Sequence, residues 1–118
     1  LFVGLAFNII RLRYKFKVGI GDGEQPILAK AIRVHGNFAE YVPITLLLMA
    51  CYELNGGADL WLHILGMSIF IGRVLHAIGL TKTTGVSKQR QLGMLSIFLV
   101  MIILAVENIR LFILNYYC

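Results

Sequence analysis

From Leu92 to Val106 the chain carries no ionisable side chain, and the apolar run resumes past Glu107 and Arg110 to Tyr116. That stretch constrains the fold more than any other feature. In hydrocarbon a backbone must satisfy its own hydrogen bonds, and an α-helix does so within one segment. Three further apolar segments accompany it, which divides the sequence into helices over 1–14, 27–52, 60–80 and 92–116. Gly, Asp, Asn, Thr and Ser cluster between them, as connecting loops require. None shows the period-2 alternation of barrel strands. The expectation is an all-α integral membrane protein, a four-transmembrane-helix bundle forming one domain over 1–118. Composition agrees: 58% of the residues are hydrophobic and 14% charged, where a soluble domain has about a quarter charged.

The first segment is short of the roughly 20 residues that span a bilayer core. Its helix either begins before Leu1 or carries its basic end beyond the membrane. Its charges follow the apolar run, whereas those of a signal peptide precede it.

Charge orients the segments. The formal net charge is +5, and it is unevenly distributed. Arg11, Arg13, Lys15, Lys17 and Lys30 face only Asp22 and Glu24 between the first two segments. Lys82, Lys88 and Arg90 lie between the last two without an acid, while Glu53 and Asp59 lie between the middle two without a base. The positive-inside rule places the first and third loops in the cytoplasm and both termini on the opposite side. No basic run is interleaved with aromatics, so nucleic acid is not an expected partner. This topology gathers Arg11, Arg33, Asn37, Glu40, Arg73, His76 and Arg90 toward the cytoplasmic leaflet, around a pocket open to that side.

The densest polar cluster is Arg33-Val-His-Gly-Asn37-Phe-Ala-Glu40-Tyr41-Val-Pro43. On a helix, Asn37 lies about 40° from Arg33, Glu40 about 20° to the other side and Tyr41 about 80° away. These residues share one stripe, and His35 points nearly opposite. Gly36 permits close approach of another helix, and Pro43 interrupts the helical hydrogen bonding. Arg73 and His76 form a second polar pair at i,i+3. An internal arginine calls for an acidic partner, and Glu40 is the one acid expected in that half of the bundle, pairing with Arg73 or with Arg33 to pin the helices. One carboxylate cannot neutralise Arg11, Arg33, Arg73 and Arg90, so an anionic ligand is expected, and arginine binds carboxylates bidentately. Other chemistries fit less well. His35, His63 and His76 lack a metal-ligand spacing, and Cys51 and Cys118 form no redox or metal motif. Gly19-Ile-Gly21-Asp22-Gly23 lacks the Lys-Ser/Thr of a phosphate loop. Glu107 and Arg110, near the far end of the fourth segment, are placed to pair with each other or to snorkel, and Tyr116-Tyr117 reads as an interfacial anchor.

The pattern Arg33-x-x-x-Asn37-x-x-Glu40-Tyr41-x-Pro43 resembles the second-helix signature of the MAPEG family, the membrane-associated proteins in eicosanoid and glutathione metabolism. Arg11-Leu12-Arg13 and Gly72-Arg73-Val74-Leu75-His76 are similar to the family as well, and the 15–23 stretch is similar to the first loop of its small bacterial members. The resemblance covers essentially the whole chain. It implies a homotrimer in the bacterial inner membrane, with lipids around it and glutathione as thiol co-substrate between neighbouring subunits. It implies that Arg33, Asn37, Glu40 and Tyr41 contact the peptide. Glu40 would suit its ammonium, and Arg11, Arg33 and Arg73 its carboxylates. His76 stands where relatives carry a ligand-contacting His or Tyr. Arg90 matches the arginine that lowers the thiol pKa, since a nearby cation favours the anion. The implied activity is glutathione- or other thiol-dependent transfer or peroxide reduction on a lipophilic small-molecule electrophile, with no metal. In two places the chain departs from mammalian members: Leu80 replaces a ligand-contacting Tyr, and Gly36 replaces an Arg of the prostaglandin E synthase branch. Two alternatives stand beside this reading: a non-catalytic membrane protein that binds an anionic or lipid ligand with the same arginines, and a small transporter. The chain has neither the inverted repeat nor the broken helix pair of transporters.

Overall fold

The computed structural model describes residues 1–82, 85 and 87–118. Four helices follow in order: α1 (Phe2–Phe16), α2 (Pro26–Leu54), α3 (Asp59–Lys82) and α4 (Lys88–Tyr117). The bundle measures 60 × 27 × 18 Å. α3 and α4 are each long and apolar enough to cross a membrane. α2 is longer than α3, but Lys30, Arg33, Glu40 and Glu53 break its apolar run. Large apolar side chains such as Phe7, Leu47, Leu95 and Ile109 are exposed along all faces, as suits a lipid solvent.

Local chemistry sets the helix ends. α1 stops where Lys17 turns left-handed (φ 56°), and the Val18 N–H returns to the Arg13 carbonyl at 3.1 Å. Arg13 then donates to the Gly21 carbonyl at 2.8 Å and ties the loop to its helix. Gly21 and Gly23 take positive φ in that turn, where a side chain would be strained. Pro26 opens α2, because its missing N–H falls where no helical partner exists. Pro43 sits inside α2 without ending it.

The largest departure from the expected boundaries is at α4, which starts at Lys88 rather than near 92. Ser87 is the reason: its Oγ accepts from the Arg90 N–H at 3.3 Å, capping the helix. Lys88 and Arg90, read from sequence as loop residues, therefore occupy the first turn. Two cations stand at the positive end of the helix dipole, an arrangement that disfavours the helix and favours an anion.

α3 packs tightly on α4 through small residues. A Cβ added at Gly93 would strike the Gly72 carbonyl and His76, and one at Gly72 would lie 2.9 Å from Ser96 Oγ. Gly36, expected to serve such an approach, has only its own helix's Glu40 nearby, at 3.9 Å from an added Cβ. The main core joins Val42, Tyr52, Leu65, Ile69, Ile97, Val100 and Leu104. At the far end, Asn108 donates to the Leu48 carbonyl at 3.0 Å and accepts from Asn55 at 3.0 Å, clamping α2 to α4. α1 packs against α2 alone among the described residues, with Phe2 stacked 4.7 Å from His35.

Gly93→Ala is expected to push α3 from α4, since the new methyl meets backbone rather than a flexible side chain. The expected loss is about 1–3 kcal/mol in detergent unfolding. Gly36→Ala, by contrast, should be neutral or stabilising.

Candidate functional site

The site is organised around a buried arginine. Arg73, on α3, is 3% exposed. Its Nη1 donates to Asn37 Oδ1 on α2 at 2.6 Å. Its Nη2 donates to the Gly93 carbonyl on α4 and lies 4.0 Å from Met94 Sδ. Asn37 completes the triangle by donating to Met94 Sδ at 3.4 Å. One guanidinium thus bridges three helices. Its Nε is buried and has no hydrogen-bond partner among the described residues.

The acidic partner expected for Arg73 is not Glu40. Neutral acceptors hold the guanidinium, and Glu40 pairs instead with Arg33 at 3.2 Å. That pair faces outward, with side chains 61% and 50% exposed. The predicted stripe therefore divides along its length. Asn37 turns into the bundle, Arg33 and Glu40 turn out, and Tyr41 packs its ring edge-on to Phe98 at 5.4 Å. The split follows from the angular spread of about 60° between Asn37 and Glu40 on one helix.

Arg33 and Glu40 line an open groove of about 550 Å³ with Gly21, Asp22, Ile32 and Gly36. Gly36 has no side chain to narrow it. The first loop thus supplies one wall, which the sequence pattern did not suggest.

His76 lies one turn beyond Arg73 and is buried. Its Nδ1 meets the Arg90 carbonyl at 3.2 Å. Arg90 is half-buried in the first turn of α4, and its Nη1 donates to the Gly85 carbonyl at 3.2 Å. Asn37, Arg73 and His76 are thus brought into contact with the start of α4. Arg11 stands apart: it is exposed and accepts its order from Asn8 on its own helix, donating to Oδ1 at 3.0 Å.

Sequence reasoning missed Gly93 and Met94, which form the floor of the Arg73 node. A signal existed in the spacing of Gly72 and Gly79, seven apart on α3, and of Gly93 and Ser96 on α4, which marks facing small-residue stripes.

The comparisons with known proteins agree with this architecture. The MAPEG family profile matches residues 1–110. The chain belongs to the MAPEG family. It is 40% identical over 79 residues to the inner membrane protein YecN of Escherichia coli K12, and equally to its counterpart in Escherichia coli O6:H1. The match takes in 67% of this chain and spans only 60% of the length of those relatives. No solved structure matches the chain. Membership makes this a helical membrane protein, in line with the two spanning helices.

Arg73→Met removes the bridging charge and leaves Asn37 Oδ1 without its donor, while the Gly93 carbonyl keeps only its bond within α4. The expected loss is about 1–3 kcal/mol in detergent unfolding. Adding Asn37→Leu should recover part of it, because the two residues share one network.

Proposed function

We propose that this protein is a glutathione- or other thiol-dependent membrane transferase or peroxidase, working as a homotrimer on lipophilic electrophiles. The observation that carries the reading is the exposed Arg33–Glu40 pair in an open groove. Charged side chains are scarce in this protein, yet Arg33 and two carboxylates, Glu40 and Asp22, line this one groove. Glutathione has the complementary set: two carboxylates, one ammonium and a thiol. Glu40 takes the ammonium, and Arg33 takes a carboxylate in bidentate fashion.

The trimer rests on family membership and on α1, which contacts α2 alone among the described residues and leaves Val3, Phe7 and Ile10 exposed. Packing α1 against a neighbouring subunit would cover that face and carry Arg11 toward a shared groove, where a second carboxylate can be held. The basic end lies in the cytoplasm by the positive-inside rule, in a bacterial inner membrane such as that of the relatives.

Arg90 is the thiol-activating residue in this reading. Its cation and the positive end of the α4 dipole together favour a thiolate there. In conjugation the thiol releases its proton to water, the sulfur pair bonds to an electrophilic carbon, and the leaving group departs with its electrons. In peroxide reduction the thiolate attacks the O–O bond, giving an alcohol and an oxidised sulfur that a second thiol resolves as a disulfide. Asn37, Tyr41 and His76 lie behind the groove and hold the helices that carry it, through Arg73, Phe98 and the Arg90 carbonyl. Arg73, whose two amino groups are engaged by neutral acceptors, acts as a positioning residue for Asn37 and the start of α4, rather than as a carboxylate ligand.

Leu80, buried beyond His76, favours a second reading, because it adds no polar contact to the ligand. On that reading the same arginines hold an anionic or lipid ligand without catalysis. Thiol-dependent turnover of a lipophilic electrophile separates the two.

Glu40→Gln should weaken glutathione binding by about tenfold or more in calorimetry, since one charge-assisted contact is lost, and leave the trimer assembled. Dissociation of the trimer would instead make the ion pair structural. Arg90→Ala should abolish the ultraviolet thiolate band of the bound thiol while binding persists. An unchanged band would remove Arg90 from that role.

A further inference from the structure

A second charged pair lies at the other end of the bundle. Glu107 and Arg110 on α4 form a two-pronged ion pair, with Arg110 Nη2 and Nε at 2.7 and 3.0 Å from Glu107 Oε2. They line a half-enclosed cavity of about 400 Å³ together with Tyr52, Trp61, Leu65 and Ile103. Asn37 and Tyr52 are fifteen positions apart on α2, so about 20 Å of helix separates this cavity from the Arg73 node. It is independent of the thiol site.

Stability does not explain the pair. An i,i+3 ion pair on an exposed helix face contributes a few tenths of a kcal/mol, whereas charges within a membrane helix are expensive and mark functional sites by default. Both side chains remain reachable, 32% exposed for Glu107 and 52% for Arg110. Arg110 Nη1 has no partner among the described residues, and Glu107 Oε1, which accepts only from Arg110 Nε at 3.2 Å, has room for a further donor. Trp61, 55% exposed, supplies aromatic surface beside the buried Tyr52, and aromatic residues gather where a protein meets the membrane–water boundary. Apolar walls continue below as Leu65 and Ile103, beside the exposed Ile64 and Ile102.

We propose that this cavity binds the head group of a zwitterionic glycerophospholipid. The ammonium sits between Glu107 and the face of Trp61, where a carboxylate and an aromatic quadrupole act together. The phosphate takes the free side of Arg110, and an acyl chain follows Leu65 and Ile103 along α3 and α4. The opposite signs of the pair match the two charges of such a head group, which an anionic lipid offers only in half.

Trp61 is the sole tryptophan of the chain, so its fluorescence reports occupancy of this cavity directly. The test titrates the full chain, in a maltoside detergent, with dihexanoyl-phosphatidylethanolamine and separately with dihexanoyl-phosphatidylglycerol, which has the phosphate but no ammonium. The expected result is a saturable change with the ethanolamine lipid, at least about tenfold weaker binding of the glycerol lipid, and loss of that preference in Glu107→Gln. Non-saturating responses, equal affinity for the two lipids, or a preference that survives Glu107→Gln would each overturn the proposal. The comparison of two lipids on the unsubstituted protein stands even if the variant fails to fold.

Discussion

A buried guanidinium with no acid beside it is the constraint on which the rest of this structure depends. Arg73 reaches α2 through Asn37 and α4 through the Gly93 carbonyl, so three helices must arrive at one point in a fixed register. A charge taken out of water is tolerated only when strong acceptors surround it. Those acceptors come within reach because Gly72 and Gly93 let α3 and α4 approach to backbone contact. The small-residue seam and the buried charge are therefore one device: either alone would leave unsatisfied polar atoms or an unspecific apolar contact.

With Arg73 engaged inside, the charges left for a ligand lie at the surface of the same end. Arg33 and Glu40 look into the groove bounded by the first loop, and Arg90 stands in the first turn of α4, held by the Ser87 cap. The helix dipole and the arginine both favour negative charge at that point. The opposite end is built differently, from the Asn55–Asn108 clamp and the Glu107–Arg110 ion pair beside aromatic rings. The bundle thus offers two polar rims of distinct chemistry, joined by an apolar middle centred on Ile97, Val100 and Leu104.

Much of this was legible in the residues alone. The long apolar runs determined helices, because hydrocarbon leaves a backbone no other partner than itself. The Glu107–Arg110 pairing followed from i,i+3 spacing, and the Arg33–Glu40 pairing was one of two options that spacing allowed. The family followed from the Arg33 to Pro43 pattern, since residue types at helical spacing identify a face. Less legible were the places where one helix meets another. Gly36 and Gly93 look alike in sequence, yet only Gly93 faces a neighbouring backbone. The start of α4 was read four residues late because Lys88 and Arg90 suggest a loop, while one serine hydroxyl makes them helical.

What the sequence by itself determined was the class of the protein: how many helices, their apolar character, the pole at which positive charge collects, and the motif that carries the family. Those properties depend on composition and on distances along one chain. The tertiary structure decided which members of the polar stripe are buried and which are exposed. It made Arg73 a strut between helices, paired Glu40 with Arg33, and set the first loop as a wall of the groove. Residues about 60° apart on one helix meet either a neighbouring helix or open space, and that outcome depends on crossing positions that no single helix encodes.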